Sequence, residues 1–193
     1  MKVNRLSPDL YEVENFVTLE QQAAILDYSN SLAESDWWHD EQKDTFFYGK
    51  QKLGKLPEVF DQVNKNVQNL FSNVLYVGDV ALQRYLDKEP MQVHRDYWIK
   101  DLDYHIRYGI VIYYNDDYLG GEIEYPELGI VHKPKARSLV MHGGNILHGP
   151  RKVIGDSPRY FSTCFVRGSE SSPVILNPEL FGDVEQSDGS AYP

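Results

Sequence analysis

Hydrophobic positions change their period once along this chain, near Val74. Before it they recur at three- and four-residue steps, as on a helix with one buried face; after it they alternate, as on a half-buried strand. The first helical stripe is Leu19, Ala23, Leu26 and Leu32. Ahead of it, Thr18-Leu-Glu-Gln21 reads as a capping box, whose hydroxyl and side-chain amide serve first-turn N–H groups that have no helical partner. A second helix is predicted from Pro57, since a first turn tolerates proline. Its stripe is Val59, Phe60, Val63, Val67, Leu70 and Phe71. Between the helices, Ser35–Lys55 mixes Trp37, Trp38, Phe46, Phe47 and Tyr48 with acids and glycine, and reads as a loop or short hairpin.

In the second part, Val80, Leu82 and Arg84 alternate with Ala81, Gln83 and Tyr85 before a turn at Lys88-Glu-Pro90. Ile106, Tyr108, Ile110, Ile112 and Tyr114 share one face of the next strand. Asn115-Asp-Asp and Gly120-Gly121 punctuate, and further strands fit Glu122–Tyr125, Arg137–His142 and Arg159–Val166. Short strands divided by turn signals predict a sandwich or jelly roll, and two supporting helices make the class α+β, mainly β. The expected single domain divides into helical support over 1–73, a strand core over 74–170 and a peripheral tail over 171–193.

Composition narrows the function. With 19 Lys+Arg against 29 Asp+Glu, the net charge is −10, which argues against a phosphate-tracking surface and so against nucleic acid as a partner. Cys164 is the single cysteine, so an internal disulfide and a multi-cysteine zinc site are both excluded. The most apolar run, Gly109–Tyr114, is far too short to span a membrane, and the first residues hold no apolar signal segment. The expected setting is cytoplasmic. Fourteen tyrosines suit strands and aromatic-lined pockets.

Six histidines are candidates for chemistry: His39, His94, His105, His132, His142 and His148. His94 lies two residues before Asp96, so in extended backbone both side chains project from one face. Two histidines and a carboxylate on one side of iron(II) leave adjacent positions open for a co-substrate and dioxygen. Alone, a His-x-Asp is more often a surface or core histidine than a ligand pair. Its company changes that balance. His148 stands eleven residues before Arg159 across a glycine-containing turn, and Tyr85 nine residues before His94. Between the candidate ligands runs Tyr113-Tyr-Asn-Asp-Asp-Tyr-Leu-Gly120-Gly-Glu-Ile-Glu-Tyr125-Pro126.

In order and spacing these elements, over roughly 80–166, resemble the prolyl 4-hydroxylase-like branch of the 2-oxoglutarate- and iron(II)-dependent oxygenases. The resemblance implies a double-stranded β-helix, a cupin-like jelly-roll barrel with N-terminal helical support. It implies His94, Asp96 and His148 as iron ligands and Arg159 as the partner of the 2-oxoglutarate distal carboxylate, with Tyr85 adding a phenolic donor. For the second tyrosine, the step of seven from Arg107 selects Tyr114, whereas counting back from Asn115 selects Tyr113; Tyr114 is preferred. Arg107 matches an arginine that reaches the peptide substrate. The implied activity is hydroxylation of a prolyl residue in a peptide or protein, coupled to decarboxylation of 2-oxoglutarate to succinate and CO2, with ascorbate as reductant. Ser35–Lys55 is the candidate for closing over the peptide.

Departures and rivals bear on this reading. Phe165 stands six residues beyond Arg159, where the family often has tryptophan. His142 competes for the distal ligand role but lies seventeen residues before Arg159, too far for the family's hairpin. His39, His105 and His132 have no partner at ligand spacing and read as structural or solvent-facing. Strand tyrosines such as Tyr85 and Tyr114 are ordinarily core residues, and the tryptophans Trp37, Trp38 and Trp98 more often pack than clamp a substrate. The rival functions are an oxygenase for a free amino acid or another side chain, a nucleic-acid demethylase, and a non-catalytic jelly-roll binding module.

Overall fold

A computed structural model describes residues 1–40, 45–48, 56–73, 76–78, 80–87, 91–96, 105–168 and 173–182. The chain opens with a hairpin, β1 (Lys2–Ser7) and β2 (Leu10–Glu14), followed by α1 (Leu19–Ser31), β3 (Trp38–Asp40), β4 (Thr45–Tyr48) and α2 (Glu58–Gln68). Then come β5 (Phe71–Asn73), β6 (Tyr76–Val77), β7 (Ala81–Tyr85), β8 (His105–Tyr113), β9 (Leu119–Gly120), β10 (Ile123–Tyr125) and β11 (Ile130–His132). The last elements are β12 (Leu139–Gly143), β13 (Gly149–Pro150), β14 (Val153–Ile154), β15 (Arg159–Gly168), β16 (Ile175–Leu176) and α3 (Pro178–Phe181). No helix among the described residues is long and apolar enough to cross a membrane.

The main sheet is antiparallel, in the order β1-β2-β12-β8-β15-β7-β4-β3, with β6 also on β15. Its two faces are buried differently. On one side Tyr108, Ile110, Ile112 and Tyr114 pack with Ile25 of α1 and Phe60, Val63 and Val67 of α2. On the other, Leu10, Tyr85, Tyr113, Val140 and Phe161 pack with Tyr118, Ile123, Tyr125, Ile146 and Val153. These last residues lie on or beside the short ladders β11-β10-β13 and β14-β9, which form the third layer of helices, main sheet and small strands.

The capping box at Thr18 is formed, with the Gln21 amide N–H donating to the Thr18 hydroxyl at 3.1 Å. The stripe drawn on this helix is corrected in part: Leu26 and Leu32 pack partly buried against the core, whereas Ala23 is exposed. Leu19 is 69% exposed, and the buried positions are Ile25 and Ser29. Gln22 explains the rotation: its side-chain amide donates to the Tyr114 carbonyl at 2.6 Å, which turns that flank toward the sheet. α2 keeps the expected face, burying Phe60, Val63 and Val67, with Pro57 as its N-cap. Full burial of a side chain such as Phe60 stabilises by about 1.5–3 kcal/mol.

Two terminal expectations also change. The first fourteen residues extend the main sheet, β2 pairing β12 from Leu10↔His142 to Val13↔Leu139, rather than belonging to a helical support. At the other end β16 pairs β5, and Val174, Leu176 and Phe181 are buried, Phe181 edge-on to Tyr11 at 5.4 Å. The part of the tail over 173–182 is therefore core, while 183–193 lies outside the described residues. In the aromatic segment 35–55, β3 and β4 form a hairpin on the edge of β7, and Trp37 is buried against Tyr160. Trp98 lies outside the described residues.

Candidate metal centre

His94 and His148 are neighbours because their backbones exchange both hydrogen bonds of an antiparallel bridge, His94 N–H to His148 O at 2.8 Å and the reverse at 2.9 Å. Their ring centroids are 4.5 Å apart. Asp96, two residues on, projects to the same side, as the extended spacing requires. Its Oδ1 is 3.5 Å from His94 Nε2 and 4.0 Å from His148 Nε2. One donor atom from each of the three residues lies within 4.8 Å of the others.

Each imidazole is held in one tautomer. His94 Nδ1 lies 2.9 Å from the Gln92 carbonyl and His148 Nδ1 3.0 Å from the Ile146 carbonyl. A carbonyl can only accept, so both Nδ1 atoms carry a proton and both Nε2 atoms, the positions left for a metal, face Asp96. Burial, then repulsion from His142, draws the His148 imidazole down to about 3, so it is a neutral donor. Burial alone would raise the Asp96 carboxyl. The hydrogen bond from His142, with the His94 ring close beside, outweighs it and holds the group well below the usual carboxylate range. Two imidazoles and one carboxylate form the donor set that suits iron(II) with open positions.

His142 was the competing histidine, and it is neither remote nor in the three-atom group. It is 1% exposed, with Nε2 3.0 Å from Asp96 Oδ2 and its ring 3.8 Å from that of His148. Gly109 makes room for this pair: a Cβ there would stand 2.1 Å from Asp96 Oδ2 and 2.6 Å from His142 Nε2. His132, read as having no partner, reaches Glu12 Oε1 at 3.2 Å across 120 residues and joins main sheet to small strands. The side chains of His39 and His105 lie outside the described residues.

Beyond the triad, along the same inner face, lies a buried cation. Arg159 is 1% exposed, and Nη1 donates to the Gly121 carbonyl at 2.8 Å. Its guanidinium carbon lies 4.7 Å from the Tyr85 ring, 4.7 Å from Phe161 and 5.7 Å from Tyr113. No carboxylate among the described residues pairs with it, and its Nε has no partner. The buried hydroxyls of Tyr113, Tyr118 and Tyr125 also lack partners. Burying such groups unsatisfied is costly, so a guanidinium with the Tyr113 and Tyr118 phenols beside it fits a carboxylate-bearing ligand. Tyr125 connects this group to the triad: its ring is 6.2 Å from that of His148, and burial, then the neighbouring Tyr113 and Asp96 groups, pushes its phenol up.

The tyrosine choice is corrected by the same geometry. Tyr114 shares the face of Ile110 and Ile112, as the alternation predicts, but that face looks at the helices. Its ring meets Phe60 and its hydroxyl donates to Ser162 Oγ at 2.7 Å. Tyr113 points the other way, to Arg159. Tyr85 lies opposite Arg159 in the β7–β15 register, with its ring against the guanidinium. Arg107, half-buried, alternates with Tyr108 and so shares the face of Gly109 and Tyr113. Tyr118 and Tyr125 carried no signal beyond membership of an aromatic-rich run. For Tyr113 the signal was the shared parity with Arg107.

No family model matches the sequence, and no curated protein matches it. Solved structures do share its fold. One is the viral collagen prolyl hydroxylase of Paramecium Bursaria Chlorella virus-1 as its 2OG complex, 14% identical, with a TM-score of 0.61 over 83% of this chain and 97% of that one. A second is a Trichoplax adhaerens prolyl hydroxylase in complex with a hypoxia inducible factor peptide fragment, 12% identical, TM-score 0.65, covering 83% and 84%. A third is HygX from Streptomyces hygroscopicus with nickel and 2-oxoglutarate bound, 12% identical, TM-score 0.59, covering 84% and 83%. The fold is thus that of 2-oxoglutarate/iron(II) oxygenases, prolyl hydroxylases among them, and a His-Asp-His cluster is present on it.

Proposed function

We propose that this chain is a 2-oxoglutarate- and iron(II)-dependent dioxygenase built on a double-stranded β-helix, hydroxylating a prolyl residue of a peptide or protein. The observation that carries the reading is the His94–Asp96–His148 cluster, its Asp96 and His148 buried and both Nδ1 atoms tied to backbone carbonyls so that Nε2 faces inward, beside an Arg159 that no carboxylate among the described residues pairs with. His94, Asp96 and His148 hold the metal on one side. Arg159, with Tyr113 in place of Tyr114, receives the distal carboxylate of 2-oxoglutarate, and Tyr85 supports the guanidinium from its ring face. Iron held there would supply the dioxygen activation that is coupled to decarboxylation of 2-oxoglutarate to succinate and CO2. The stacked aromatics around Arg159 exclude water from that chemistry.

Arg107 and the hairpin segment 35–55 are assigned to the peptide. Ascorbate is assigned as the reductant that keeps the iron ferrous, and a reducing, cytoplasmic setting accords with the lone, buried Cys164. Phe165, half-buried where the family often has tryptophan, favours one second reading, an oxygenase for a free amino acid or another side chain.

Anaerobic titration of the iron(II)-loaded protein with 2-oxoglutarate tests the first level. A saturable visible charge-transfer band, lost in His148→Ala, is expected; a folded, iron-treated protein without the band overturns the reading. Proline-containing peptides against free proline then decide the substrate, with succinate release faster on the peptides as the expected result.

A further inference from the structure

Polar groups gather at the surface cleft of Glu14, Lys135 and Arg137, at the Glu12–His132 pair, at the Arg84–Trp37 stack and on the inner polar face. Only the last holds a buried group whose contacts have no other use. We infer that His142 is a positioning residue that fixes Asp96 to offer one oxygen, Oδ1, to the metal; the inference rests on the metal reading above.

Three observations converge. Asp96 divides its oxygens: Oδ1 faces His94 and His148, at 3.5 and 4.0 Å, while Oδ2 faces His142 Nε2 at 3.0 Å. An ionised carboxylate only accepts, so Nε2 of His142 carries the proton and donates. His142 cannot move away, because it is 1% exposed on the main sheet, opposite Gly109 in the β12–β8 register. Gly109 is also where a Cβ would strike both members of the pair, at 2.1 and 2.6 Å. The strand surface is therefore shaped to seat Oδ2 against His142. A carboxylate with one oxygen so held binds a cation through the other and does not chelate with both, which keeps a coordination position open.

The test uses Mn(II) alone, without substrate or turnover, on the full chain. His142→Phe keeps the ring and removes the donor; His142→Gln restores a donor of similar reach; Gly109→Ala disturbs the pair while leaving every donor in place. His142→Phe and Gly109→Ala are expected to weaken Mn(II) binding about 10- to 100-fold at an unchanged melting profile, with His142→Gln recovering most of it. Infrared difference spectra of the Mn(II)-loaded protein, labelled with carboxylate-13C aspartate, should show the wide stretch separation of a one-oxygen carboxylate in the wild type. That separation should narrow in His142→Phe. Wild-type affinity and bands in His142→Phe overturn the inference. So does complete loss of binding in both His142→Phe and His142→Gln, which makes His142 a ligand instead. Asp96→Ala separates the two levels: if it still binds Mn(II) like the wild type, the metal reading itself falls.

Discussion

Tyr113 and Tyr114 are adjacent and both fully buried, yet they live in different environments. Tyr114 is satisfied: its ring packs on Phe60 and its hydroxyl donates to Ser162 at 2.7 Å. Tyr113 is not: its hydroxyl has no partner, and its ring faces a guanidinium. The same holds for the two faces of β8 and β15 that these residues represent. The helix-side face is packed for stability. The inner face holds Arg159, Tyr113, Tyr118, Tyr125 and His142 with polar atoms left over, a costly arrangement that accords with a ligand completing it.

The largest effect expected from this contrast comes from crossing the faces. Phe60→Ala should cost about 3–5 kcal/mol of stability through loss of burial and a residual cavity, read as a fall in denaturation midpoint. His148→Ala should abolish iron- and 2-oxoglutarate-dependent succinate release while moving that midpoint far less. If Phe60→Ala leaves stability intact, or His148→Ala unfolds the protein, the division of labour is wrong.

Arg159→Ala comes next. A charged hydrogen bond contributes about 1.5–3 kcal/mol, so losing a two-pronged contact should raise the 2-oxoglutarate KM about 100-fold or more. Removing a buried cation that no carboxylate among the described residues pairs with should cost little stability in the absence of ligand. A KM within a few-fold of wild type would detach Arg159 from the co-substrate.

The smallest effects sharpen the comparison most. Tyr113→Phe should raise the 2-oxoglutarate KM about 5- to 10-fold, one hydrogen bond's worth, with the melting point unmoved. Tyr114→Phe should do the reverse: KM unchanged, and about 1 kcal/mol lost because Ser162 is left buried without its donor. Exchange of these two phenotypes would restore Tyr114 to the co-substrate site.

Much of the arrangement was legible along the chain because it depends on short-range geometry. The capping box at Thr18 is a matter of three residues, and the His94–Asp96 spacing one of strand pleat. The α2 face is readable because its apolar residues recur strongly. What was illegible depends on partners distant in sequence. The inward face of α1 is set by Gln22 reaching the Tyr114 carbonyl. The N-terminal hairpin is defined by β12, more than a hundred residues on. His132 meets Glu12 across 120 residues.

By itself the sequence determined the two longer helices, the central strands, the class of donor atoms and the parity of those strands, since a pleated backbone must alternate its side chains. It could not say which parity faces ligand and which faces helix, because that depends on which layer covers which face. The tertiary structure decided it by laying α1 and α2 on the Ile110–Ile112–Tyr114 side. Tyr113, Arg159 and the Asp96–His142 pair were thereby left to the inner face.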